Sequence, residues 1–539
     1  MTFLPIVDRE LRVAARRKST YRIRAWAAAV AVLVGCFSLV LALLIQPFSS
    51  PGKSLYTTLT GFAFGLCLLA GVLLTADCLS EEKREGTLGF LFLTDLKGYD
   101  VVLGKFMAMS LNAFYGLLAI LPITGLPLLL GGVTGGEFWR MNLALLNVLF
   151  LSLAAGVCVS AFGRDSQQVM GGTLGLVTFL AGGLPALVAV GRARGVPLAW
   201  ECLAWISPYY PFARALEPKY LWQPANYWWA LLASHLFGWL LLALASYALP
   251  RRWQERTTDA EPGRGLARFA RRGRGGPAAR TEAGEALLSV NPVLWLMSRG
   301  PDSRRIAWII VCAWAVAVVV VSLLARGRDG ATMAEPFMLS TYVVRPFGFL
   351  LKWLFALQAC RFFVEARRTG ALETLLCTPL TSRDLLAGQA LALKRTFLWP
   401  VVTFLALLFV PVGIQVATVP SWSSPELLSA FIPSVSACFY CLTMVADCYA
   451  LGAFGMWLAL TFKKPGLAPA LTILFVLILP SLLCGLGFFA DIFFIVWGVS
   501  KLRQQDLRVL IARQYQPAIT GTPAAPTAAT PAPPRIIAR

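Results

Sequence analysis

Histidine occurs once in this chain of 539 residues, as His235, and that residue lies inside an apolar run. Neither a histidine-based metal site nor a Ser-His-Asp triad can be built on it. Charge is also sparse: 14% of residues are charged against 58% hydrophobic, and the mean hydropathy is +0.68. A water-soluble globule of this size needs more polar surface than that. A phosphate-binding G-x-x-x-x-G-K-[ST] loop is missing too. The nearest stretch, Gly98 to Phe106, has one residue too many between its glycines and no Ser or Thr to hold magnesium. The twelve cysteines do not compensate. Most sit in apolar runs, where a thiol acts as a small hydrophobe, and the C-x-x-C of Cys438 and Cys441 has no second pair to complete a metal site.

What the chain has instead is long apolar runs. A helix rising 1.5 Å per residue needs about 17 to 25 apolar residues to cross about 30 Å of hydrocarbon. Such runs stand at 25–46, 55–78, 105–131, 141–163, 169–190, 227–249, 306–325, 343–361, 396–418, 429–461, 466–482 and 484–500. The last two nearly abut, so the total is eleven or twelve. The first is too long for a signal-peptide core. The net charge of +21 invites a nucleic-acid reading, but its placement argues for a membrane. With the N-terminus in the cytoplasm, 38 of the 48 Lys and Arg fall on the cytoplasmic side, the asymmetry expected of a bilayer protein with both termini inside.

The chain also repeats itself. Shifted by 284 residues, "EEKREGTLGFLFLTDLKGYDVVLG" (81–104) lies on "EARRTGALETLLCTPLTSRDLLAG" (365–388) without a gap, with nine of 24 positions identical. Both copies follow the second run of a six-run block, so they face the same side of the membrane and the repeat is parallel, unlike the inverted repeats of many carriers. Each block opens on a proline and a basic amphipathic segment, 5–24 and 291–305. The spacing predicts a first six-span unit at 1–250, an Arg/Gly-rich flexible linker at 251–288, a second unit at 289–503 and a Pro/Ala-rich tail at 504–539. The exterior stretch 191–226 is dense in Trp and Tyr, as suits a membrane interface.

Locally, the repeated segment reads as a short amphipathic helix over Ser80–Leu96, with Ser80 as cap, Glu81 and Glu82 in the first turn, and Leu88, Leu91 and Phe92 on one face. The second copy places Leu372, Leu375 and Leu376 equivalently and stops at Pro379. Asp100 and Asp384 stand where an acid would cap the following span.

This doubled pattern, after the second of six spans and ahead of a glycine (Gly104, Gly388) at the third, resembles the permeases of ATP-binding-cassette type-2 exporters. The resemblance implies an all-α polytopic membrane protein of about 12 transmembrane helices, arranged as two parallel six-helix repeats. Each repeat would carry an interfacial elbow helix and a cytoplasmic coupling helix. It also implies export driven by cytoplasmic ATPase subunits, two copies of them, which would hold the ATP and magnesium while this chain binds no cofactor and is no enzyme. The fused chain would then be a self-sufficient pseudo-dimeric pore in a bacterial plasma membrane. Coupling is carried over to Glu81, Arg84, Gly86, Leu88, Leu91 and Thr94, and to Glu365, Arg368, Gly370, Leu372, Leu375 and Thr378. The copies depart from each other where Gly89 faces Glu373 and Asp95 faces Pro379. A competing class, a proton-coupled carrier or a lipid scramblase without an ATPase, draws on Lys352, Asp447 and Asp491. These ionisable residues lie within apolar runs, where charge is costly and marks a candidate translocation path.

Overall fold

The computed structural model of the protein describes residues 18–45, 51–93, 97–163, 166–185, 188, 199–252, 288–289, 291–298, 303–325, 334–417, 424–462, 468–478, 480 and 487–504. The linker and tail expected from the sequence lie almost wholly outside these residues, as does most of the first entry segment. Among the described residues all regular structure is helical.

The first half runs α1 (Lys18–Ile45), α2 (Pro51–Ala70), α3 (Cys78–Glu85), α4 (Thr87–Phe92), α5 (Gly98–Leu130), α6 (Gly135–Phe162), α7 (Ser166–Thr178), three short helices α8 (Ala199–Ala204), α9 (Tyr209–Arg214) and α10 (Glu217–Trp222), and α11 (Pro224–Arg252). The second runs α12 (Pro292–Ser298), α13 (Ser303–Ala325), α14 (Ala334–Thr369), α15 (Ala371–Leu376), α16 (Ser382–Ala417), α17 (Ser424–Thr461), α18 (Ala468–Ile473) and α19 (Gly487–Gln504). Each of the twelve apolar runs read from the sequence carries a helix. Among the described residues, seven stretches are long and apolar enough to cross a bilayer: Pro51–Arg84, Gly98–Leu130, Gly135–Phe162, Pro224–Arg251, Phe347–Arg367, Ser382–Val410 and Ser434–Thr461. The protein is an all-α polytopic membrane protein.

Helix neighbours recur between the halves. In each, the first long helix packs on the second and third, the second on the fourth, and the fourth on the sixth. The fifth helix of each half passes into a single π turn, Phe179–Gly183 after α7 and Leu474–Ile478 after α18. One buried cluster joins the halves, with Leu69, Val72, Val169 and Met170 packed in the same core as Trp353, Ala356 and Leu357. Burial of that kind excludes lipid as well as water, so the halves meet through side-chain packing.

Between α7 and α11, the short helices form a cap at the ends of the spans. Arg140 of α6 pairs with Glu217 and stacks over the Tyr220 ring at 3.8 Å, and the Tyr227 hydroxyl donates to the Arg140 carbonyl at 2.7 Å. The aromatic density read from the sequence thus packs on polar anchors at one interface.

Candidate coupling site

The two copies of the repeated segment fold alike. The second long helix of each half ends at a glycine in the left-handed region: Gly86 at φ 72°, ψ 2° and Gly370 at φ 71°, ψ 1°. Apart from chain neighbours, no atom of the described residues lies within 4 Å of the place a β-carbon would take at either position, so backbone handedness rather than crowding calls for glycine. The chain then turns into a six-residue helix, α4 or α15, closed by the Leu93 amide on the Gly89 carbonyl and the Cys377 amide on the Glu373 carbonyl, each at 3.1 Å. The following span starts under an acidic cap, as expected: Asp100 Oδ2 accepts from the Lys97 amide at 3.0 Å and Asp384 Oδ2 from the Thr381 amide at 2.9 Å.

The expected single helix from Ser80 to Leu96 is corrected. Residues 78–85 continue the second span, and the separate helix begins only after Gly86. At 34 residues, Pro51–Arg84 is about 51 Å long, well beyond a 30 Å hydrocarbon core, so its last turns emerge from the bilayer. Ser80 is no cap. It is fully buried, and the Leu79 and Ser80 amides both donate to Ser160 Oγ at 3.0 Å, while the Ser80 hydroxyl bonds Asp77.

The charged residues mostly brace the segment from within. Arg84 grips Asp77 with two 2.8 Å contacts, and Asp77 accepts from Ser166 Oγ of α7 at 2.9 Å. Glu82 pairs with Lys105 of α5 at 2.6 Å. Two residues that the sequence reading passed over occupy one repeat position. Lys83 donates to the Ala161 carbonyl at the C-terminus of α6, and Arg367 donates to Ala459 and Phe462 carbonyls at the end of α17, at 2.7 and 2.9 Å. Each is a cation on the last carbonyls of the fourth long helix of its half, where the helix dipole favours positive charge. Their signal in the sequence was a shared charge without a shared identity.

Of the residues expected to couple, Leu88 and Leu372 are 2% and 1% exposed and anchor the short helices to the cores of their own halves. Leu375 is half-buried, whereas Glu81, Glu365 and Thr378 are exposed. Glu365 lies 3.7 Å from Arg361. The side chains of Leu91 and Arg368, and Thr94 as a whole, lie outside the described residues. The surface offered outward consists of Glu81, Thr87 and Leu93, which is 79% exposed, in the first copy, and Ala371, Glu373, Thr374, Cys377 and Thr378 in the second.

Deeper in the second half, Lys352 of α14 forms an ion pair with Asp447 of α17, and Asp491 of α19 lies against Asp447. Asp491 is 2% exposed and its Oδ1 has no hydrogen-bond partner among the described residues. The sequence-predicted trio is thus one cluster, joining the second, fourth and sixth long helices of that half. The first half bridges its fourth and sixth helices with neutral groups. Asn147 Nδ2 donates to Ser234 Oγ at 2.6 Å, and Asn147 Oδ1 meets His235 Nδ1 at 3.1 Å. Trp239 Nε1 only donates, and it does so to His235 Nε2 at 3.2 Å, which leaves the imidazole proton on Nδ1 for Asn147.

Residues 24–215 match the family model described as ABC-2 family transporter protein, a stretch of 192 residues that includes α4 and the first glycine turn. No curated protein matches the chain. Permeases of that family are transport subunits that work with cytoplasmic ATPase subunits. Over residues 24–215, carried on a frame of long apolar helices, the chain is thus similar to ABC-2 family transporter proteins.

Proposed function

We propose that the protein is the membrane-spanning component of an exporter powered by a separate ATPase, with two permease units fused in one chain. One observation carries this reading: the glycine turn, the six-residue helix and the acidic cap occur twice, in matching geometry, at the protruding end of the second span of each half. A loop with no partner has no need of one shape built twice. Each short helix is fixed inward by a buried leucine and outward offers a small surface suited to a groove on an ATPase. The second span, the Lys83 or Arg367 contact and the fourth helix form a rigid strut, so closure of two ATPase copies would move whole helices and open the path to the other side. Lys352, Asp447 and Asp491 would line that path in the second half.

The test is co-purification from gently solubilised membranes. Leu93→Glu with Ala371→Lys alters only exposed positions, so the variant is expected to keep its melting temperature and lose a P-loop ATPase that the native chain retains. A second reading, a proton-coupled carrier, draws on the unpartnered Asp491 oxygen. Recovery of no ATPase with the native chain, together with transport abolished by Asp447→Asn, would establish that reading in place of the first.

A further inference from the structure

The elbow segment of the second half lies close against the start of α16. A β-carbon at Gly388 would come within 2.5 Å of Asn291 Oδ1 and 2.6 Å of Val293 Cβ, and Asn291 Nδ2 donates to the Asp384 carbonyl at 3.1 Å. The start of α13 is tied down separately by Ser303 Oγ donating to Gln358 Oε1 at 2.9 Å. Between these supports a groove of about 480 Å³ opens, lined by Leu294, Arg304, Leu391, Lys394, Arg395, Leu398 and Trp399.

Three features fix what would fill it. Arg304, Lys394 and Arg395 converge on the groove, and among the described residues none of them has an ion pair or hydrogen bond. Three unneutralised cations at one spot call for an anion with several acceptor oxygens. On the membrane side of them Leu398 and Trp399 are 43% and 60% exposed, an apolar strip leading away from the charge into the span, and Leu391, 41% exposed, lies on the other side. Finally, Lys394 and Arg395 stand where the apolar run beginning at residue 396 meets the polar start of α16, about 18 Å from Ser382, which is the level of the headgroups. With the N-terminus inside, that is the cytoplasmic leaflet.

We propose that this groove holds an anionic phospholipid, its phosphate diester among Arg304, Lys394 and Arg395 and an acyl chain along Leu398 and Trp399. A free phosphate shares the headgroup chemistry but would leave the apolar strip uncovered. The site belongs to the second half alone. In the 284-residue register the counterparts of Leu391, Lys394, Arg395, Leu398 and Trp399 are Met107, Ser110, Leu111, Phe114 and Tyr115, which keep the apolar strip and lack both cations. At these five positions the second half offers the leaflet charge where the first offers apolar and hydroxyl groups. The inference requires a bilayer around the chain and is independent of any ATPase.

The experiment uses the full chain, delipidated in a neutral detergent, with the melting temperature followed on adding phosphatidylglycerol, phosphatidylcholine or inorganic phosphate. Phosphatidylglycerol is expected to raise it while the other two do not, and its apparent affinity is expected to fall about fivefold for each of Lys394→Gln and Arg395→Gln. Lys394→Arg should keep it, and Ser110→Ala in the first half should change nothing. Single substitutions at these exposed positions keep the readout usable should the triple variant with Arg304→Gln fail to fold. Equal shifts from both lipids, a shift of the same size from inorganic phosphate, or full phosphatidylglycerol response in both glutamine variants would overturn the proposal.

Discussion

Replacing Gly86 or Gly370 by alanine changes one thing, the backbone conformation at the turn into the short helix. An L-residue held near φ +70° costs about 1–2 kcal/mol, and the empty space around both positions means no steric clash adds to it. Asparagine tolerates this region better, because its short polar side chain bonds locally, so Gly86→Asn and Gly370→Asn are expected to cost less than the alanine variants. The strain falls on α4 and α15, each anchored to its half by a fully buried leucine beside partly buried Phe92 or Leu375 and Leu376, and not on the spans. It should therefore appear as local opening. About 1–2 kcal/mol corresponds to about a 5- to 30-fold rise in the open population. Hydrogen exchange in lipid nanodiscs reads this at the Leu93 and Cys377 amides, whose acceptors are the Gly89 and Glu373 carbonyls. Exchange at those two amides should quicken by that factor in the alanine variants and by less in the asparagine variants, with amides of α6 and α17 unchanged. Unchanged exchange in Gly86→Ala and Gly370→Ala, or asparagine as damaging as alanine, would refute the assignment of these glycines to a left-handed turn.

Leu88→Ala and Leu372→Ala each remove a fully buried side chain and should cost about 2–5 kcal/mol, seen as lower melting temperatures, whereas Leu93→Ala at an exposed position should leave the melt unchanged. Lys83→Met and Arg367→Met take a cation from the end of the fourth long helix of each half. Each should cost about 1 kcal/mol, and Lys83→Arg should retain the native melting temperature. Lys352→Met leaves two neighbouring buried aspartates without their cation and should destabilise the second half by about 3–5 kcal/mol; adding Asp447→Leu should recover part of that, measured by thermal unfolding in detergent.

The helices and the repeat were legible because their signals are local. Hydropathy summed over a run of about twenty residues decides whether a segment sits in lipid, whatever it packs against. The 284-residue register located both acidic caps, since Asp100 and Asp384 reach only three residues back to the amides they satisfy, and it paired Gly86 with Gly370 without revealing the turns they make. The start of the short helix was misplaced for an instructive reason. Ser-Glu-Glu after an apolar run has the composition of a helix N-terminus, but Ser160, eighty residues further on, takes the Leu79 and Ser80 amides, and the second span continues through them. Capping preference is a weak prior that one tertiary hydrogen bond can override.

The sequence by itself determined that the chain carries many runs apolar enough to cross a membrane, that a 24-residue pattern occurs twice, and that Lys352, Asp447 and Asp491 fall within apolar runs. Only the tertiary structure decided which way each side chain points. Leu88 and Leu372 turn into the cores of their halves rather than toward a partner, and Lys83 and Arg367 close the fourth helices rather than waiting in solution. The three intramembrane charges come together as one cluster, and Arg304, Lys394 and Arg395 converge on one groove. A periodic pattern says that a six-residue helix has an apolar face. Which neighbour covers that face depends on elements tens of residues away, whose arrival is set by packing and is not encoded at the position itself.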